Sequence, residues 1–140
     1  MEKLNQKIIS CQQALDTLAE AVQMPFSVIV RDGCIQRFEY SFESLWKLLK
    51  VYLAQQEGLL CNSPKSCFRE ALAVGLLDVT ETETCLIMTD DRNLTSHTYL
   101  EPVAEAIYQK LPGYLEVMQR LLTNIQSRAG KSSTGKVADG

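Results

Sequence analysis

Along residues 35–52 the apolar side chains Ile35, Phe38, Phe42, Leu45, Leu49 and Tyr52 recur in steps of three and four. That spacing gathers them on one stripe of an α-helix and would scatter them over both faces of a strand. A helix over residues 28–56 is predicted, ending at Gly58, which suits the left-handed turn beyond a helix end. The same pattern opens the chain, with Leu4, Ile8, Cys11, Leu15, Leu18 and Val22, until Pro25 stops it. No segment alternates in the manner of a strand, and no internal repeat is present.

Further along, Ser63-Pro64 reads as an N-cap followed by proline at the first helical position, opening a helix over residues 64–76. Thr80 with Glu83 offers a capping box for a fourth helix through Cys85, Met88 and Leu94. Pro102 suggests another start, and Val103, Ile107, Leu111, Leu115, Met118, Leu122 and Ile125 form the last apolar stripe. A kink or break is predicted there at Pro112-Gly113. The fold class that follows is all-α, an antiparallel up-and-down bundle of four to five helices. Residues 1–127 form one domain, and the small polar residues 128–140 read as a disordered tail.

With 140 residues, of which 46% are hydrophobic and 22% charged, the chain has enough apolar surface for a real core. Its formal charge of -3 excludes a surface that coats nucleic acid throughout, while leaving room for a local basic site. No apolar run approaches the roughly 20 residues that cross a bilayer, and the first residues lack the shape of a signal peptide, so a cytoplasmic protein without membrane contact is expected. The five cysteines are odd in number and contain no C-x-x-C pair. A disulfide framework or a structural zinc site is therefore not expected, and the thiols read as small buried apolar groups.

Two polar features stand out against this background. Asp32, Gln36, Glu39 and Glu43 line one side of the second helix, and Glu39 and Glu43 repel one another at i,i+4 unless a cation compensates. Lys47, one turn on, is one candidate for it. The second feature is the run from Asp90 to Tyr99, which holds the chain's one histidine, His97. Phosphoryl transfer at RNA needs a proton carrier and a cation for the developing negative charge, and His97 and Arg92 are residues of those types. On a continuous helix they would stand roughly 140° apart. Either the helix ends between them or a second subunit completes the site.

The segment Arg92-Asn93-Leu94-Thr95-Ser96-His97-Thr98-Tyr99 matches the R-x4-H-x-Y motif of the HEPN superfamily. Together with Arg31-Asp32, Ile35-Gln36-Arg37-Phe38-Glu39-Tyr40, Trp46-Lys47 and Ser63-Pro64, it resembles the branch known as nucleotidyltransferase substrate-binding proteins. The resemblance implies a dimerising helical bundle that works beside a separately encoded minimal nucleotidyltransferase. It also implies either a metal-independent ribonuclease toxin or a non-catalytic nucleotide- or substrate-binding subunit. In the first case Arg92 and His97 are catalytic, with RNA as ligand, and Tyr99 accepts AMP from the partner. Asp91, Asn93, Asp32, Gln36 and Glu39 are the expected supporting residues, and neither metal nor cofactor is expected. Leu100-Glu101-Pro102 is less acidic than the family pattern after the motif tyrosine.

Overall fold

The computed structural model describes residues 2–139, with side chains to residue 130. Its elements are α1 (Glu2–Val22), α2 (Val28–Glu57), α3 (Pro64–Ala73), α4 (Val79–Leu94), a 3-10 turn at Thr95–His97, and α5 (Glu101–Asp139). The chain is thus an all-α bundle of five helices. The long helices α1, α2 and α5 pack on one another, while α3 and α4 pair and lean on α2 and α5.

The ends of α2 follow the local chemistry. Ser27 caps its start, accepting from the Val30 amide at 3.0 Å, and Gly58, at φ +67°, closes it with its own amide on the Leu53 carbonyl. The stripe read from sequence is the core face: Ile35, Phe38, Phe42, Leu45, Leu49 and Tyr52 are all buried. Aromatic rings knit the helices together. Phe38 stacks on Tyr114 of α5 with centroids 5.7 Å apart, and Phe42 meets Phe68 of α3 at 6.0 Å.

Four details depart from the sequence reading. The capping box of α4 is Asp78 with Glu81, two residues before the expected Thr80 and Glu83. Asp78 accepts from the Glu81 amide at 2.7 Å, and the Thr80 carbonyl instead accepts from Thr84 inside the helix. Helix α3 ends at Ala73, because Gly75, at φ +79°, turns the chain so that the Leu76 amide reaches back to the Ala71 carbonyl. Helix α5 runs through Pro112 without a break: buried Leu111, Tyr114 and Leu115 hold its register, and Pro112 itself faces solvent. Finally, Cys61 and Cys67 form a disulfide, bridging the loop before α3 to that helix's first turns, whereas Cys11, Cys34 and Cys85 are free and buried as expected.

At the far end, Arg128 and Ala129 belong to α5. Ala129 is buried, and Arg128 donates to the Val74 carbonyl at 2.7 Å. The tail from residue 131 onward lies outside the described side chains.

Candidate functional site

Helix α4 ends at Leu94, between Arg92 and His97, and the 3-10 turn carries the chain on to His97. Thr95 makes the transition. Its hydroxyl donates to the Arg92 carbonyl at 2.7 Å and accepts from Arg92 Nη1 at 3.1 Å, so one buried side chain ends the helix and holds the guanidinium. Arg92 reaches across to α2, where Nη2 lies 3.3 Å from Glu43 and Nη1 lies 3.9 Å from Glu39. This is the cation that relieves the Glu39–Glu43 repulsion; Lys47 reaches Glu43 only at 3.9 Å. Trp46 fixes Glu43 further by donating its indole N–H at 3.0 Å.

The result is an open groove of about 300 Å³ lined by Gln36, Glu39, Tyr40, Glu43 and Arg92. Its two carboxylates outnumber its one guanidinium. Among the described residues no group accepts from Arg92 Nε, which is buried.

Beyond the turn, His97 and Tyr99 are exposed and face one another. Imidazole Nδ1 stands 3.4 Å from the Tyr99 hydroxyl, the rings meet edge to face with centroids 5.9 Å apart, and Tyr99 is 75% exposed. A phenol so displayed is open to an external enzyme.

The other expected residues lie elsewhere. Asp91 points away from the groove into the α4–α5 contact, accepting from the Tyr114 hydroxyl and from Lys110 at 3.2 Å. Burial, and then the hydrogen bond to Asp91, push the Tyr114 phenol above its usual range. Asp32 pairs with Arg31 Nε at 3.1 Å, outside the groove lining. Asn93 is exposed, and its carbonyl accepts from Ser96 at 3.3 Å. Of the residues expected in a supporting role, Gln36 and Glu39 are the ones that line the groove with Arg92.

Sequence reasoning did not assign Glu43, Tyr40 or Thr95 to the site. Glu43 carried a signal, one turn beyond Glu39 on the same stripe. The pairing of Arg31 with Glu101, at 2.7 and 3.1 Å, carried none.

Among the described residues, no group of three His, Cys, Asp or Glu side chains is placed to hold a metal ion. No helix among them is long and apolar enough to cross a membrane.

Comparison with known proteins gives this geometry its context. The chain is 32% identical over 100 residues to the probable ribonuclease HepT of Haemophilus influenzae, covering 69% of this chain and 67% of that protein. A Thermus thermophilus protein of known crystal structure superposes with a TM-score of 0.80 at 46% identity, over 82% of this chain and 98% of its own. HI0074 of Haemophilus influenzae, whose structure is described as revealing the fold of a substrate binding domain of a nucleotidyltransferase, superposes at 0.59 with 25% identity, over 89% of this chain and 98% of its own. Residues 6–127 match the family model described as nucleotidyltransferase substrate binding protein like, and the chain belongs to that family.

Proposed function

We propose that this chain is the HEPN-type member of a two-component pair with a minimal nucleotidyltransferase, acting in the cytoplasm as a homodimeric, metal-independent ribonuclease toxin that its partner silences by transferring AMP to Tyr99. The observation that carries the reading is the split at the end of α4. Arg92 is anchored in the groove by Thr95, Glu39 and Glu43, while His97 and Tyr99 stand together on the exposed turn beyond it.

In the cleavage step the RNA 2′-oxygen attacks the adjacent phosphorus, the bond to the 5′-oxygen breaks, and a 2′,3′-cyclic phosphate and a 5′-hydroxyl result. Arg92 steadies the charge on the phosphorus oxygens and His97 moves the proton. In the silencing step the Tyr99 oxygen attacks the α-phosphorus of ATP, pyrophosphate leaves, and the phenol proton passes to a base. The adduct is an anion beside the turn that Arg92 anchors, where it competes with RNA phosphate.

One observation favours a second reading. The groove holds two carboxylates against one guanidinium, a poor field for a polyanion, which suits a substrate-binding subunit of a split nucleotidyltransferase.

The chain expressed alone separates them. Arg92→Ala and His97→Ala should each lower RNA cleavage by about 10²–10⁴ without loss of fold, and cleavage should survive EDTA. Tyr99→Phe should keep cleavage and lose AMP transfer, read by intact mass with partner and ATP. A wild-type chain that cleaves no RNA and leaves growth unaffected would hand first place to the substrate-binding reading.

A further inference from the structure

Arg31 lies at the start of α2 and is 3% exposed, yet all three of its guanidinium nitrogens sit on carboxylates. Nε donates to Asp32 at 3.1 Å, Nη1 to one oxygen of Glu101 at 2.7 Å, and Nη2 to the other at 3.1 Å, with Glu105 at 4.0 Å. The other ion pairs of the described residues use partly or well exposed cations. Only the arginine is buried, while Glu101 is 71% exposed, and a pair so open to water adds little net stability; what it can do is fix a geometry. A fork-to-fork pair does so in both distance and orientation.

The geometry fixed here is where the chain re-enters a helix. Residues 95–100 link α4 to α5, and this link is anchored at both ends. At one end Thr95 holds Arg92 and Asp91 holds Tyr114. At the other, Glu101 opens α5 and is gripped by Arg31, from 70 positions earlier in the chain. Between the anchors His97 and Tyr99 are exposed and touch one another, and the His97 carbonyl accepts from the Leu100 amide at 3.0 Å.

We infer that the Arg31–Glu101 pair is a positioning device for the exposed His97–Tyr99 turn, holding imidazole and phenol in register with Arg92. Its value to catalysis rests on the ribonuclease reading above; the placement itself does not.

His97 is the only histidine, so in an untagged chain its ring protons are observed in proton NMR without overlap from another imidazole. Two substitutions keep every charge and break the fork: Glu101→Asp, at a largely exposed helix start where aspartate is well tolerated, and Arg31→Lys. Both should remove the nuclear Overhauser contact between the His97 and Tyr99 rings. Glu81→Gln, which takes one of two carboxylates from Arg120 at the opposite end of α4, should leave that contact in place. Where the wild type cleaves RNA, both fork variants should lower kcat by roughly 10-fold or more at near-constant KM, since small misplacements of reacting groups are costly.

Absence of the ring contact in the wild type would overturn the inference. So would its persistence in Glu101→Asp, or its equal loss in Glu81→Gln. If Arg31→Lys fails to fold, Glu101→Asp decides alone. A wild type that cleaves no RNA sinks the ribonuclease reading and leaves the NMR comparison to decide the placement.

Discussion

Asp91 and Arg92 are neighbours, yet about 100° of helical rotation sends their side chains to different helices. Arg92 faces the carboxylates of α2, and Asp91 enters the contact with α5. Sequence alone gives both an equal claim on the site, because it shows that the two are polar and adjacent but not which helix each one meets. The same limit hid Thr95, whose two bonds to Arg92 depend on the chain tightening into a 3-10 turn. Asp91 is buried, so the Tyr114 hydroxyl and Lys110 are what satisfy it. Tyr114→Phe should cost about 1–3 kcal/mol in urea denaturation at pH 7, the loss expected when a buried acceptor loses its donor. The pH dependence follows from the raised phenol. The folded state keeps the Tyr114 proton above the pH, near 10, at which an unfolded tyrosine gives it up. This contribution is complete below pH 10 and is lost as pH rises beyond it. The stability gap between wild type and Tyr114→Phe should therefore narrow above pH 10; a gap that widens would show that the hydroxyl is not the donor to Asp91.

Helix α2 was legible because its core face is long and regular, so tertiary packing and local periodicity agree. Where α4 begins, two registers of one signal overlap, Asp78-x-x-Glu81 and Thr80-x-x-Glu83, and periodicity cannot choose between them. The structure chooses Asp78, the stronger cap, just after buried Leu76 and Leu77 have turned into the core. Asp78→Ala should then cost about 1 kcal/mol in thermal or urea unfolding, and Thr80→Ala no more than about 0.5. Equal losses would restore the later register. The continuity of α5 through Pro112 was not legible for the opposite reason: the local signal is a breaker, and only the burial of the residues around it outweighs the lost hydrogen bond. The Cys61–Cys67 bridge is of the same kind, since a six-residue separation brings two sulfurs together only once the turn into α3 is known. The groove was half legible. Its acidic stripe and its arginine were each visible, while their meeting required the packing of α4 against α2.

For the molecule as a whole, the single histidine sets a stricter condition than the fold does. Cleavage of RNA by its own 2′-hydroxyl requires one group to take a proton and another to give one, and each chain offers one imidazole. A two-fold axis near the exposed turn would supply a second, and the surface there suits an isologous contact: Leu94, Tyr99 and Leu100 are 44, 75 and 48% exposed. The groove beside Arg92 is also open, and a second copy would enclose it. Sedimentation equilibrium at micromolar concentration should therefore give about twice the chain mass of 15.7 kDa. Leu100→Asp, at an exposed position outside the core, should give a monomer with an unchanged helical spectrum and should lose any RNA cleavage along with dimerisation. A wild-type monomer at that concentration would remove the second imidazole, and with it the shared-site form of the ribonuclease reading. A Leu100→Asp protein that stays dimeric would move the two-fold axis away from this turn.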